Sequence, residues 1–182
     1  MPDGLYYSPN LILQSEAEAL LGFIDAQLWD LGMRRRVQHY GWRYDYRNTR
    51  IDPKDSLGPL PEIFLKTAQK IGELTEEKVI FDQVIVNEYL PGQGISAHLD
   101  CVPCFGPVIA SLSLGSPCEM LFQNLSTKAR YSVLLKPLSL LLLSGDARYS
   151  WSHGIAARQS DIIEGLRVTR GRRVSLTFRA RA

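Results

Sequence analysis

From Val79 to its end the chain is a succession of short runs rich in Val, Ile, Leu and Tyr: VIFDQVIVNEYL, PVIASLSLG, CEMLFQN, YSVLLKP, LSLLLLSG and RRVSLTFR. Gly, Pro and Asn turn signals separate them, a texture that predicts an all-β sandwich or barrel. Two helices are expected ahead of this region. Ser15-Glu-Ala-Glu18 is a capping-box pattern, and Leu20, Leu21, Ile24, Leu28 and Leu31 recur behind it at helical spacing, which predicts a helix over 15–31. A second helix should open at Pro61, with Ile63, Phe64, Ala68, Ile71 and Leu74 as its apolar stripe. The expected fold is mainly β with an α+β character, a jelly roll (double-stranded β-helix) carrying two N-terminal supporting helices. At 182 residues the chain fits one domain, with a division near residue 78 between the helical N-terminal part and the β core over 79–182.

The opening MPDGLYYSPN lacks a basic-then-apolar signal pattern, and the run around Leu140 to Leu143 is too short to cross a bilayer. A soluble, monomeric, cytoplasmic protein is expected, nuclear if the source is eukaryotic. Three cysteines, an odd number, suit a reducing compartment and provide no disulfide framework. The net charge is only +2, yet six arginines stand against one acid, Asp45, between Arg34 and Arg50. The segment from Arg167 to Arg181 is Arg-rich and acid-free as well. Two basic zones on a nearly neutral protein point to an anionic partner.

RRVSLTFR, Arg172 to Arg179, reads as a strand with two unlike faces. Val174, Leu176 and Phe178 share one side, and Arg173, Ser175, Thr177 and Arg179 share the other. A solvated edge strand would carry arginines in this way. A second explanation begins at ISAHLDC, where His98 and Asp100 are two apart on an extended segment and can meet one ion. His153 in RYSWSHGI offers a further imidazole. Two imidazoles and a carboxylate form the facial triad of non-haem ferrous iron, although a zinc hydrolase can use the same set with a water. Ferrous iron that activates dioxygen needs a two-electron co-reductant, and 2-oxoglutarate can chelate it through its 2-oxo acid end. The distal carboxylate would then lie in an enclosed pocket and need a fixed cation. Arg173 with Ser175 or Thr177 supplies one.

NEY (Asn87 to Tyr89), PGQGISAHLD, SLSLGS, SGDARYSWSHGI and RRVSLTFR together resemble the AlkB family of iron- and 2-oxoglutarate-dependent dioxygenases. The likeness is greatest to the branch that modifies a tRNA wobble uridine, and it extends over nearly the whole chain from about Tyr6. It implies that His98, Asp100 and His153 bind Fe(II). It also implies that Arg173 holds the distal carboxylate of 2-oxoglutarate while Asn87, Tyr89, Ser175 and Arg179 complete that pocket. Arg179, the second arginine of the pair, is implied to reach the metal-side end of the cosubstrate or Asp100, and so to serve catalysis with the triad. The implied chemistry consumes dioxygen and 2-oxoglutarate and hydroxylates a C–H on an alkylated base in DNA or RNA, tRNA included. A carbon attached to a base nitrogen would then be released as aldehyde, whereas one attached to carbon keeps its alcohol. A protein or small-molecule substrate is the alternative within the same chemistry.

On the substrate side, RRRVQHYGWRYDYRNTR would place Tyr40, Trp42, Tyr44 and Tyr46 on one strand face and Arg43, Asp45 and Arg47 on the other. Aromatics beside arginines suit an unpaired base and its phosphates. By resemblance this segment is the nucleotide-recognition lid, with Tyr40, Trp42, Arg43 and Tyr44 as substrate-binding candidates. A half-buried strand with core aromatics is the plainer alternative for Tyr44 and Tyr46. His39 is expected to be a lid or surface side chain rather than a ligand. Cys101 and Cys104 are expected to be loop cysteines near the substrate mouth, not a zinc or redox pair. The sequence reads as a catalytic domain without an RNA-recognition or methyltransferase module, so lesion repair on DNA or RNA stands beside programmed tRNA hydroxylation.

Overall fold

The computed structural model describes residues 1–46 and 48–182. Arg47, assigned above to the outer face of the lid, lies outside the described residues. The elements run β1 (Leu5–Ser8), α1 (Gln14–Asp25), β2 (Val37–Tyr40), α2 (Glu62–Gly72), β3 (Gln83–Tyr89), β4 (Ile95–His98), β5 (Phe105–Gly115), β6 (Cys118–Asn124), β7 (Arg130–Leu135), β8 (Leu140–Leu143), α3 (Gly145–Tyr149), β9 (Trp151–Ile155), β10 (Ser160–Ile163), β11 (Leu166–Thr169) and β12 (Arg173–Arg181). Among the described residues the strands form a six-stranded sheet in the order β1-β8-β5-β12-β3-β2, a four-stranded sheet in the order β4-β9-β6-β7, and the hairpin β10-β11. The fold is a mainly β jelly roll, as the short apolar runs indicate. The N-terminal part is not purely helical, since β1 pairs with β8 and β2 pairs with β3.

β12 lies in the middle of the large sheet, antiparallel to β3 on one side and β5 on the other, so the solvated-edge explanation of its arginines does not hold. Its alternation divides the molecule into two layers. Val174, Leu176 and Phe178 pack with Val84, Val86, Ala110, Leu112 and the helix residues Leu20, Ile24, Phe64 and Ile71. Arg173, Ser175, Thr177 and Arg179 face the other sheet and line a cavity there. Phe178 is fully buried, and truncating it to Ala would cost about 3–5 kcal/mol.

The first helix is shorter than its leucine spacing implies. Glu16, rather than Glu18, accepts a hydrogen bond from the Leu13 N–H at 2.7 Å, and the helix ends at Asp25. Asp30 and Val37 then exchange backbone hydrogen bonds of 2.8 and 3.0 Å, folding the chain back on itself. Leu28 and Leu31 are left 96% and 75% exposed instead of joining the core. The second helix begins just after Pro61, but Leu74, at 49% exposure, lies beyond its buried face.

A single strand through Tyr46 does not form. β2 stops at Tyr40 because Gly41 takes a positive φ of 76°, and a Cβ there would run into the Asp82 carbonyl. The alternation assigned to 40–46 is thereby broken. Tyr40 packs on the helix side, 4.7 Å from Phe64 between ring centroids. The Trp42 Nε1–H donates to Asp82 at 3.1 Å, and the Arg181 guanidinium lies 4.2 Å over its ring.

Candidate active site

The register between β4 and β9 sets His98 opposite His153, and their rings lie 4.6 Å apart. Gly154 permits this closeness, because a Cβ there would come within 2.9 Å of the Ala97 nitrogen and the Ile95 carbonyl. Asp100 lies two residues past the end of β4. One donor atom from each of His98, Asp100 and His153 lies within 4.8 Å of the others. His98 Nδ1 is 2.8 Å from the Ser96 carbonyl, which fixes the proton on Nδ1 and leaves Nε2 as the free lone pair. Asp100 divides its two oxygens. Oδ1 accepts from Arg179 Nε and Nη2 at 2.8 and 2.5 Å, while Oδ2 lies 3.5 Å from His153 Nε2. Burial pushes the Asp100 carboxyl up, but the Arg179 charge and the two histidine rings outweigh it and hold the group below its ordinary value. Burial also drives the His153 imidazole down to about 4 against the pull of Asp100, so it is neutral near pH 7. Two imidazoles and one carboxylate make a donor set that fits a divalent cation with open positions.

The cavity beside the triad measures about 450 Å³. Arg173 is 3% exposed, and its Nη2 donates to Ser113 Oγ at 2.9 Å. Its Nε and Nη1 are buried without a partner. Donor positions left unsatisfied on a buried guanidinium are costly unless an acceptor arrives, and a carboxylate in the cavity would supply one. Asn87, Tyr89 and Ser175 line the same space, and the ring of Tyr89 lies 5.3 Å from the Arg173 guanidinium. The residues present therefore fit an enclosed dicarboxylic acid.

Of the residues assigned to the substrate side, Tyr44 lines the cavity, whereas Tyr40, Trp42 and Arg43 do not. Tyr40 and Trp42 are anchoring side chains for the reasons given above, and Arg43 lies 4.0 Å from Asp30 at the surface. Tyr46 also lines the cavity, edge-on to Tyr44 at 4.9 Å, while His39 meets the Tyr46 ring edge-on at 5.7 Å. His39 is not at the triad. Cys101 and Cys104 are joined by a disulfide, which corrects the expectation that the cysteines provide no disulfide framework; Cys118 is the free cysteine. Spacing alone could not show the bridge, because a CxxC pair closes only where the loop brings the sulfurs together.

Two residues to which the sequence assigned no role take part in this architecture. Arg148 is 1% exposed and has no carboxylate partner among the described residues; its guanidinium donates to the carbonyls of Asp100 at 2.9 Å and Cys101 at 3.2 Å. It thus fixes the chain that leaves the triad. Arg35, in the basic run, lines the cavity mouth with Met33. Its only advance signal was the arginine surplus of that segment.

The chain matches the 2OG-Fe(II) oxygenase superfamily over residues 28–179. It is 34% identical to the alkylated DNA repair protein ALKBH8 homolog of Arabidopsis thaliana, an alignment covering 97% of this chain and 58% of that one. It is 36% identical to uncharacterized protein L905 of Acanthamoeba polyphaga mimivirus, over 93% of this chain and 81% of that one. The chain thus spans less than two thirds of the Arabidopsis relative. The solved structure of OsALKBH1 superposes with a TM-score of 0.71 at 19% identity, covering 98% of this chain and 97% of the other, which shows the shared fold.

Proposed function

This chain belongs to the 2OG-Fe(II) oxygenase superfamily, among the AlkB homologues, and from that premise we propose that it oxidises alkyl groups on unpaired bases of DNA or RNA. It is an Fe(II)- and 2-oxoglutarate-dependent dioxygenase. The roles we assign to its residues are these. His98, Asp100 and His153 hold the iron. Arg173 takes the distal carboxylate of 2-oxoglutarate, with Asn87, Tyr89 and Ser175 around it. Arg179 keeps Asp100 ionised and correctly turned. When bound, the metal and cosubstrate supply dioxygen activation, with succinate and carbon dioxide released as a substrate C–H becomes C–OH. The whole chain acts as one catalytic domain, in which the N-terminal segment supplies the lid and two strands.

The observation that carries the substrate reading is the composition of the cavity wall. Its lining joins the triad and the buried Arg173 to the more exposed Tyr44, Tyr46, Met33 and Arg35. Tyrosine rings at such a mouth suit stacking on an unstacked base, and the surrounding arginines suit phosphate. A relative's description as an alkylated DNA repair protein points the same way. The test incubates the protein with Fe(II), ascorbate, 2-oxoglutarate and single-stranded oligonucleotides carrying different alkylated bases, followed by mass spectrometry. Oxidised bases together with stoichiometric succinate are expected. Turnover of a peptide or metabolite with no base oxidised would overturn the nucleic-acid reading. Oligonucleotide affinity should also fall as salt rises, because phosphate contacts release counterions.

A further inference from the structure

The Cys101–Cys104 bridge joins the chain leaving the metal site to the lid. Cys101 follows Asp100 and lines the cavity. The two cysteines close a short turn in which the Cys101 carbonyl accepts from the backbone N–H groups of Cys104 and Phe105, both at 3.2 Å. Their Cα atoms are 5.2 Å apart, within the span that a disulfide bridges without backbone movement. Arg148 holds the same turn, donating to the carbonyls of Asp100, Cys101 and Phe105 at 2.9, 3.2 and 3.5 Å. Backbone hydrogen bonds and a buried guanidinium therefore fix the turn whether or not the sulfurs are joined. The Asp100 side chain is fixed separately, by Arg179.

The lid rests on this turn. Tyr44 and Ile51 pack on the cluster that contains Cys104 and Phe105, and the Tyr44 ring lies 5.5 Å from that of Phe105. The Thr49 carbonyl is 3.3 Å from Cys101 Sγ and 3.2 Å from Cys104 Sγ. A thiol at that separation donates a weak hydrogen bond to the carbonyl oxygen, whereas a bridged sulfur has no hydrogen to give. The same contact thus binds the lid when the pair is reduced and does not when it is oxidised. Cys101 is half-buried and Cys104 buried, while Val102 between them is 46% exposed. An incoming thiolate therefore meets Cys101 Sγ first.

We propose that Cys101 and Cys104 form a thiol–disulfide exchange site that sets how firmly the lid is held: the dithiol ties the Thr49 carbonyl to the turn, and the disulfide releases it. The reducing partner is a dithiol. Its thiolate attacks Cys101 Sγ, the bond between the two cysteine sulfurs breaks, and Cys104 leaves as a thiolate and takes up a proton. The partner's second thiol then attacks the partner's own sulfur in the mixed disulfide. Cys101 is released and protonated, and the partner departs as a disulfide. Two electrons and two protons pass to the bridge in all. Oxidation is the reverse exchange, with a disulfide as the oxidant. Because the turn is held by Arg148 in both states, exchange changes the grip on the lid without displacing the chain at Asp100.

The test measures amide hydrogen exchange over residues 44–51 in the full chain, equilibrated with dithiothreitol or with glutathione disulfide. The Asp45 N–H, bonded to the Arg50 carbonyl at 3.1 Å, belongs to that segment. Exchange should be roughly three- to tenfold slower in the reduced protein, the factor that one weak hydrogen bond supplies. Two double variants separate the donor from the bridge. Cys101→Ser with Cys104→Ser keeps a donor and cannot bridge, so its exchange should be slow in both reagents. Cys101→Ala with Cys104→Ala has neither, so its exchange should be fast in both. The rise in Tm caused by 2-oxoglutarate with a redox-inert divalent metal should be the same in the reduced and bridged proteins. Equal or faster lid exchange on reduction, a serine pair that still responds to glutathione disulfide, or an alanine pair as protected as the dithiol overturns the inference. So does a 2-oxoglutarate shift that changes with the redox state, since the bridge would then act on the cosubstrate pocket. Neither measurement involves a nucleic acid, so these outcomes are separate from those of the oligonucleotide assay.

Discussion

Replacing Arg173 by Met should barely change the stability of the free protein while abolishing its response to 2-oxoglutarate. Two of its guanidinium N–H positions are buried without acceptors, each a cost of about 1–3 kcal/mol. Against that stand the charge-assisted bond to Ser113 Oγ at 2.9 Å, about 1.5–3 kcal/mol, and the ring of Tyr89 at 5.3 Å, about 0.5–2 kcal/mol. The opposing contributions nearly cancel, and Met fills most of the volume. The expected change is within about 1 kcal/mol of zero, or roughly 2–4 °C in Tm for a chain of this size. Ligand binding behaves differently. A cosubstrate at a hundred times its Kd stabilises the native state by about 2.7 kcal/mol, and that increment should vanish in the variant. Arg173→Lys should retain a small part of it, because an ammonium cannot reproduce the planar fork. The assay is thermal unfolding with and without 2-oxoglutarate, in the presence of a redox-inert divalent metal. A variant that loses ten degrees in the free state yet keeps the full ligand shift would refute the assignment, since it would make Arg173 a structural residue only.

Other perturbations report on other parts of the molecule. Gly154→Ala should push β4 away from β9, because the added Cβ falls within 2.9 Å of two backbone atoms. Metal affinity measured by titration should drop at least tenfold, and an unchanged affinity would mean that the His98–His153 register tolerates the shift. The half-buried His39 has its imidazole pushed from 6.5 down to about 4, first by burial and then by the Arg43 charge. Between those pH values the unfolded chain binds the extra proton and the folded chain does not, so His39 lowers stability progressively as pH falls from about 6.5 to 4, by up to about 3 kcal/mol. Urea unfolding of the metal-free protein across that range should show the loss, and His39→Asn should show a shallower slope. Thiol titration of the denatured, unreduced chain should find one reactive cysteine, Cys118, and three after reduction. Three before reduction would show that the Cys101–Cys104 bridge does not form in solution.

Much of this was legible in the sequence wherever the signal was local. The two faces of 173–179 follow from strand alternation, which needs no knowledge of the neighbours, and the His98/Asp100 pair follows from the same rule. The second helix declared itself through Pro61 and a buried stripe at Phe64, Ala68 and Ile71. The failures have a common physical origin in contacts between distant segments. Leu28 and Leu31 continue a helical pattern that ends at Asp25, because the Asp30–Val37 pairing takes over. Tyr40 to Tyr46 alternate as a strand should, until Gly41 turns the chain against Asp82 and sends Tyr40 to the core. The four residues of β1 carry too little pattern to reveal a partner at Leu140–Leu143. Arg148 and Arg35 were assigned no role from the sequence, since an arginine's place is defined by what surrounds it.

The central position of β12 has a consequence for how this protein can change. Its odd residues furnish the cavity and its even residues hold the helices, and both flanking strands are bonded to it throughout Arg173–Arg179. Inserting or deleting one residue there would swing two guanidiniums into hydrocarbon and three apolar side chains into the cavity, with no free edge to absorb the slip. New substrates must therefore be acquired through the loops around Arg35 and Tyr44, while the interior strand can vary only by substitution in place.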